Sequence, residues 1–157
     1  MALNALNEDE PAVDPRDVAL LPAGREALPV LVELYNQMLA AHGDSMAADA
    51  ICEKLGKGLD AGQRATLFRH ARRTVGFVVW ADLGDHVFIR NFLIDEDLRR
   101  QGLGRTLFER FRTECLAPGT PLRLEASADH ALRFWEAMGF AAWSTGMRLD
   151  PPQEPAR

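Results

Sequence analysis

The sequence predicts a single mixed α/β (α+β) domain, in which helices cover both faces of a mixed β-sheet. Its 157 residues are 47% hydrophobic and 26% charged, an ordinary composition for a globular chain with a buried core. Apolar residues recur with helical spacing in some segments and alternate with period two in others. Strands joined by short turns precede strand–helix–strand crossovers, and this order calls for both antiparallel and parallel pairing.

The domain is predicted to begin with one strand and two helices. Residues 17–22 form a short apolar run that indicates a strand. Residues 25–43 carry apolar side chains at helical spacing, with Pro29 in the first turn, where its missing N–H is tolerated, and Gly43 as a stop signal. Residues 45–59 predict a second, weaker helix that ends in glycines.

Three strands and a helix are predicted next. The runs 65–71 and 74–82 are rich in β-forming residues and separated by two arginines, which is typical of a hairpin. Residues 86–95 predict a third strand after a short turn. Residues 104–116 then place their apolar side chains on one face of a helix.

The last elements repeat this alternation. Residues 121–127 alternate with period two and predict a strand, and residues 128–139 predict a helix that ends at Gly139. Residues 140–150 predict a final strand. The expected order is therefore β, α, α, β, β, β, α, β, α, β.

The ends of the chain and its charge limit the function classes. The domain is expected over residues 17–149, with an acidic tail at 1–16 and a proline-rich tail at 150–157. A net charge of −5 argues against a nucleic-acid partner, and no apolar run reaches the roughly 18 residues that a membrane span needs. The N-terminus lacks the features of a signal peptide, and two cysteines without metal-ligand spacing imply no metal site. These observations favour a cytoplasmic protein.

One glycine-bearing turn carries the candidate chemistry. In "LRRQGLGRTLFERF", residues 98–111, Arg99, Arg100 and Arg105 surround Gly102 and Gly104 at the start of a predicted helix. A helix start exposes unpaired N–H groups and partial positive charge, and glycines admit a close ligand. The turn therefore predicts a phosphate or pyrophosphate site, with a solvated arginine face as the alternative.

Two familiar phosphate motifs do not fit this turn. The dinucleotide pattern G-x-G-x-x-G fails because Leu107 stands at its last glycine. An acidic residue, Glu125, does lie about twenty positions further on, but the repeated strand–helix units of a dinucleotide fold are missing. No Gly-Lys-Ser/Thr of a P-loop is present.

The sequence segments before and after this turn carry a resemblance to a known family. Arg99-x-x-Gly102-x-Gly104 follows a strand that ends in Ile94-Asp95, and "LEASADHALRFWEAMGF" then supplies a strand, a helix and a Gly-Phe ending. Together these segments resemble the GNAT superfamily of acyl-CoA-dependent N-acyltransferases. The resemblance implies a GNAT-like splayed sheet, in which the strands at 86–95 and 121–127 part to admit the pantetheine arm of acyl-CoA.

The resemblance also implies which residues hold acetyl-CoA as co-substrate. Backbone groups of three strand residues would pair with pantetheine, the N–H groups of the turn would hold the pyrophosphate, and one indole would close the cleft near the thioester. The strand residues are Phe92, Leu93 and Ile94, and the indole is that of Trp135. The turn residues are Arg99, Arg100, Gln101, Gly102, Leu103, Gly104 and Arg105.

Departures from the family pattern concern catalysis. The tyrosine that often protonates the leaving thiolate is replaced by Trp135, whose indole is a donor only and no useful acid. A frequent CoA-contacting asparagine is replaced by Ala128, and a carboxylate seen in some members would fall at Phe88. Glu125, on the strand beside the proposed gap, is the candidate general base, with a solvated strand carboxylate as the alternative interpretation.

Other candidate side chains are weaker. Tyr35 and Glu33 lie on the first helix, which borders the acceptor site in the family, but they are more simply a core-edge aromatic and a surface charge. The four histidines are scattered along the sequence, and each is interpreted as a surface or capping residue.

The expected function is N-acetyl transfer from acetyl-CoA to a primary amine, by direct attack on the thioester. The acceptor would be a small-molecule amine or a peptide amine, and a homodimer is left open. The alternative is a CoA-binding regulatory or degenerate GNAT-like module without turnover. A phosphate-binding interaction domain unrelated to CoA is a further alternative.

Overall fold

The computed structural model describes residues 12–98, 102–126, 129–143 and 146–151. The strands in these ranges are β1 Ala19–Ala23, β2 Arg64–His70, β3 Arg73–Asp82, β4 Val87–Ile94, β5 Leu122–Leu124, β6 Ala141–Trp143 and β7 Gly146–Leu149. The α-helices are α1 Leu28–Ala41, α2 Ala48–Asp60, α3 Leu103–Cys115 and α4 Asp129–Ala137, and short 3-10 turns cover Pro15–Asp17, Arg25–Ala27 and Glu96–Leu98.

The strands form one mixed sheet, as the sequence predicts. Its order is β1-β2-β3-β4-β5-β7-β6. Neighbours from β1 to β4 are antiparallel, β4 and β5 are parallel, and β5, β7 and β6 are again antiparallel. The single parallel pair follows from the crossover through α3, which returns the chain to the end of the sheet where β4 began.

Helices pack on both faces of the sheet, which confirms the predicted layers. On one face, α3 and α4 bury a cluster that includes the fully buried rings of Phe108 and Phe111. On the other face, α1 and α2 bury a second cluster around Leu31, Ile51 and Phe77. Both faces of the central strand β3 therefore meet a helix layer, which explains why β3 is buried and apolar over most of its length.

A β-bulge divides β4 into two halves. Val79 of β3 pairs with Asn91, whereas the next residue of β3 pairs with Ile89, so Arg90 is an extra residue in β4. Side chains normally alternate between the two faces, and an extra residue shifts that alternation by one. Accordingly, Val87 and Ile89 before the bulge, and Phe92 and Ile94 after it, all pack with the α3–α4 cluster.

Two sequence expectations need correction. The single strand predicted over 140–150 is wrong, because β6 and β7 are separate strands that pair antiparallel, with Trp143 opposite Gly146. The tail predicted over 1–16 is too long at its C-terminal end, since Val13 packs against the core and the Arg110 guanidinium donates to the Pro15 carbonyl at 2.7 Å. The tail residues 1–11 and 152–157 lie outside the described residues.

Candidate active site

The sheet splays between β4 and β5, as the resemblance implies. The two strands pair only from Val87 to Ile89 against Leu122 to Leu124. The bulge at Arg90 comes directly after the last of these pairs. Because a bulge bends its strand and increases the local twist, it turns the second half of β4 away from β5.

A cleft of about 460 Å³ opens where the strands part. Its described walls come from four elements and are mainly apolar. They are Met38 and His42 from α1 and the residue after it, Phe92, Leu93 and Ile94 from β4, Gly102, Gly104 and Arg105 at the start of α3, and His130, Ala131, Phe134 and Trp135 from α4. The cleft thus brings together seven of the residues that the sequence predicts as the acetyl-CoA site.

One described residue of the predicted acetyl-CoA site, Leu103, is not on these walls. Leu103 is 2% exposed and packs into the core behind the cleft. Arg99, Arg100 and Gln101 lie outside the described residues, as does Ala128.

The start of α3 presents polar backbone groups to one end of the cleft. Gly102 precedes the helix with φ of +72°, a left-handed conformation that favours glycine, and it provides no side-chain cap. The first helical hydrogen bond runs from the Thr106 N–H to the Gly102 carbonyl at 3.3 Å. The N–H groups of Leu103, Gly104 and Arg105 precede it and have no intrahelical acceptor. An anion at this end would meet several donors together with the exposed Arg105 guanidinium.

Gly104 lies on the floor of this end of the cleft. A Cβ atom placed there would stand 3.5 Å from Cγ1 of Ile94 and 3.7 Å from the Phe134 ring. These are ordinary contact distances, so the absence of a side chain is not required by packing. Its effect is to leave the backbone at the start of α3 open to the cleft.

A carboxylate that the sequence reasoning missed anchors the chain before this turn. Asp95 is 8% exposed and lies 3.0 Å from the Arg73 guanidinium. Its Oδ1 accepts from the Asp97 N–H at 3.1 Å, and its carbonyl accepts from the Leu98 N–H at 2.9 Å. Asp95 therefore fixes the exit of β4 and the 3-10 turn that leads towards α3.

An aromatic cluster forms the deep wall of the cleft. Trp135 is 7% exposed, and its ring packs edge-to-face with Phe92, Phe108 and Phe134 at centroid distances of 5.6, 5.0 and 4.9 Å. Such pairs add to the stabilisation from buried area. The indole in the position of the family's tyrosine thus packs α4 against β4 and α3.

Three candidate proton-transfer residues are not among the described wall residues of the cleft. Glu125 follows β5, is exposed, and is not among the described wall residues. Tyr35 is buried, and its hydroxyl accepts from the Lys54 amine at 2.9 Å. Glu33 is exposed on α1.

Two histidines that are far apart in the sequence contact each other at the mouth of the cleft. His42 follows α1, His130 is the second residue of α4, and their Nε2 atoms lie 3.1 Å apart. The rings are stacked, with centroids 5.0 Å apart and planes inclined by 21°. No local pattern signals this contact, because 88 residues separate the two positions and only the packing of the helices around the splayed strands brings them together.

A larger cavity, of about 570 Å³, lies elsewhere, between the β1–β2 edge and the ends of α2 and α3. It contains none of the predicted ligand residues. Cys115 borders it, and burial, together with the Glu114 carboxylate, raises the pKa of that thiol, while a hydrogen bond with Thr66 opposes the shift. Because a protonated thiol is a poor nucleophile, this shift lowers the reactivity of Cys115.

Within the described part of the chain, no three or more His, Cys, Asp or Glu side chains group to hold a metal ion. Of the helices described, none combines the length and apolar character needed to cross a membrane.

Comparisons with known proteins agree with this geometry. An acetyltransferase (GNAT) domain model matches residues 33–148. A search of curated protein sequences finds no significant match. Among solved structures, an acetyltransferase from Thermus thermophilus shares 20% identity at a TM-score of 0.66, covering 83% of this chain and 93% of its own.

Two further solved structures show the same fold. The ribosomal-protein-S18-alanine N-acetyltransferase of Escherichia coli is 17% identical at a TM-score of 0.66, covering 88% of this chain and 96% of its own. The PaiA N-acetyltransferase of Thermoplasma acidophilum, solved in complex with coenzyme A, is 12% identical at a TM-score of 0.59, covering 83% and 96%. The family model spans most of the chain, and the chain therefore belongs to the GNAT family of acetyltransferases.

Proposed function

We propose that this protein transfers an acetyl group from acetyl-CoA to a primary amine. The observation that carries the proposal is the cleft itself. At one end it offers the uncapped start of α3, and along its side it offers the part of β4 that β5 does not reach. An acyl-CoA combines a diphosphate with an extended chain of amides, and these two features require both kinds of surface.

The residues present fit acetyl-CoA as a substrate. The N–H groups at the start of α3, with Arg105 beside them, would hold the diphosphate through charge-assisted hydrogen bonds. Pantetheine would lie along β4 at Phe92 and Leu93, where its amides would add to the sheet in the manner of a strand. Trp135 and Phe134 would exclude water from the thioester.

Direct attack of the amine on the thioester suits this cleft. The amine nitrogen forms a bond to the carbonyl carbon, and the carbon–sulfur bond then breaks. A thiol pKa of about 8.5 makes the thiolate a tolerable leaving group near neutral pH, so a missing acid slows the reaction without preventing it. Trp135 can pack against the reacting groups but cannot supply a proton, since its indole N–H is not acidic. Holding the amine and thioester together would supply much of the acceleration.

The proposal extends to the acceptor and the setting of the reaction. The net charge of −5 favours a cationic amine, whether a small molecule or a peptide amine. We place the reaction in the cytoplasm, which cell fractionation would test. Light scattering of the purified protein would decide between a monomer and a homodimer.

Release of CoA thiol from acetyl-CoA, measured across a panel of alkylamines and peptides, tests the activity. Thiol release that requires both an amine and the protein supports the proposal. Tight CoA binding with no release for any amine would instead favour a regulatory module without turnover.

Ligand-induced thermal stabilisation tests the cleft separately. Acetyl-CoA and CoA should raise Tm more than ATP or inorganic phosphate, because only the whole CoA molecule would occupy both ends of the cleft. Equal stabilisation by ATP would contradict the proposed binding mode.

A further inference from the structure

The imidazoles of His42 and His130 approach the cleft from opposite sides. His42 follows the last residue of α1, which covers one face of the sheet, and His130 opens α4, which covers the other. Both side chains line the cleft, and both residues are exposed. The pair thus stands where a substrate entering the cleft and the surrounding solvent can both reach it.

The other described walls of the cleft contain no group that accepts a proton at neutral pH. Arg105 is a wall residue, but a guanidinium stays protonated, and the Trp135 indole N–H is only a donor. The rest of the described walls are apolar side chains, alanine or glycine. Imidazole is the side chain whose ordinary titration falls near neutral pH. Among the described wall residues, the two histidines are therefore the candidates for a base.

We infer that the His42–His130 pair accepts the proton that an ammonium substrate must lose before it attacks the thioester. This inference rests on the proposed acetyl transfer. It assigns to a cross-helix contact the role for which Glu125 is the sequence-based candidate. The two assignments make different predictions, because Glu125 lies outside the described walls of the cleft.

At the contact between the two Nε2 atoms, one imidazole supplies an N–H and the other supplies a lone pair. With the two Nε2 atoms 3.1 Å apart, one imidazole donates and the other accepts. An entering ammonium would take the place of the donor and give its proton to the accepting Nε2. The imidazolium formed then holds that proton, while the neighbouring imidazole keeps its own Nε2–H. A second proton would place two positive charges in contact, so the pair is suited to carrying one proton at a time.

The proton and bond changes balance over one turnover. The ammonium gives one proton to the pair and becomes a neutral amine, which forms the carbon–nitrogen bond. The tetrahedral intermediate breaks its carbon–sulfur bond, and the second nitrogen proton passes to the departing thiolate to give CoA thiol. The exposed pair then releases its proton to solvent, and no oxidation or reduction takes place.

Variants of the pair, assayed with two matched amines, test the inference. The double variant His42→Ala/His130→Ala should lower kcat/KM for the best alkylamine by about 10²–10⁴-fold, the usual contribution of a general base. An alkoxyamine of the same length, with oxygen in place of the α-carbon, is already neutral at neutral pH. Its rate should be nearly unchanged, because it has no proton to lose before attack. Added imidazole should restore part of the alkylamine rate.

Controls separate a catalytic role from a structural one. His70→Ala removes a histidine that does not border the cleft and should behave as wild type. Glu125→Gln should also keep the alkylamine rate if the pair is the base. CoA affinity and Tm of the double variant should stay near those of wild type, since both rings are exposed.

Three results would overturn the inference. Full alkylamine activity in the double variant would do so, as would equal losses for the two amines without rescue by imidazole. A selective loss in Glu125→Gln with retained activity in the double variant would return the role to Glu125. If the wild-type protein releases no thiol with any amine, the proposed acetyl transfer itself fails, and this outcome is distinct from the other three.

Discussion

Substitution of Gly104 tests whether the start of α3 holds the CoA diphosphate. A Cβ at this position would make ordinary contacts, at 3.5 Å to Ile94 and 3.7 Å to Phe134. The residue is helical, where glycine costs about 0.5–1 kcal/mol relative to alanine. Gly104→Ala should therefore keep or slightly increase the free energy of unfolding of the ligand-free protein.

Gly104→Glu should weaken CoA binding strongly without destabilising the fold. A carboxylate about 4 Å from a phosphate charge is opposed by about 1–4 kcal/mol, for effective dielectric constants between those of water and a protein surface. This corresponds to an increase in Kd of about five- to a thousandfold. Gly104→Gln, of the same size but without charge, isolates the electrostatic part of this loss.

Calorimetric titration of CoA into each variant, at low and at high salt, provides the measurement. The difference between the Glu and Gln variants should shrink at high salt, because exposed charges are screened. Gly102→Ala is the matched control for backbone strain, since a residue other than glycine at φ +72° costs about 1–2 kcal/mol of stability. Equal CoA affinity in the wild-type, Gln and Glu proteins would refute the assignment of this helix start to the diphosphate.

Three further outcomes follow from the packing around the cleft. Asp95→Asn should weaken CoA binding and lower Tm together, because the Arg73 guanidinium loses a buried partner worth about 1–3 kcal/mol; unchanged titration and melting curves would contradict its anchoring role. Phe108→Ala should cost about 3–5 kcal/mol in urea unfolding, since its fully buried ring joins α3 to the cleft wall; a loss below 1 kcal/mol, roughly that of a surface change, would refute this. Cys115 should react with iodoacetamide more slowly in the native protein than in urea, because burial raises the pKa of its thiol and keeps it protonated. The same shift leaves the free energy of unfolding unchanged below the ordinary thiol pKa of about 8.5 and should lower it as pH rises further, because the folded protein opposes ionisation of this thiol; a native alkylation rate equal to that in urea would exclude the shift.

The linear pattern of the chain was sufficient to predict most of the fold and the turn that lies at one end of the cleft. Local periodicity located α1 to α4 and β2 to β5 within a few residues, because each contains buried residues, and burial leaves a repeat in the sequence. A short apolar run located β1, although none of its residues is buried. Periodicity failed at β6 and β7, which are short, and β6 carries no buried residue. The Gly102–Gly104 turn could be predicted because a helix start and its glycines are consecutive in the chain.

Which titratable side chains line the described walls of the cleft was decided by tertiary structure. Sequence reasoning selected Glu125 by its place on a strand, but whether a side chain reaches the cleft depends on where β5 ends and β4 bends, which the bulge at Arg90 sets. His42 and His130 meet only because helices on opposite faces converge at the splayed strands. Local sequence encodes what a segment can form by itself, whereas a contact across 88 residues exists only once the sheet has fixed where each helix ends.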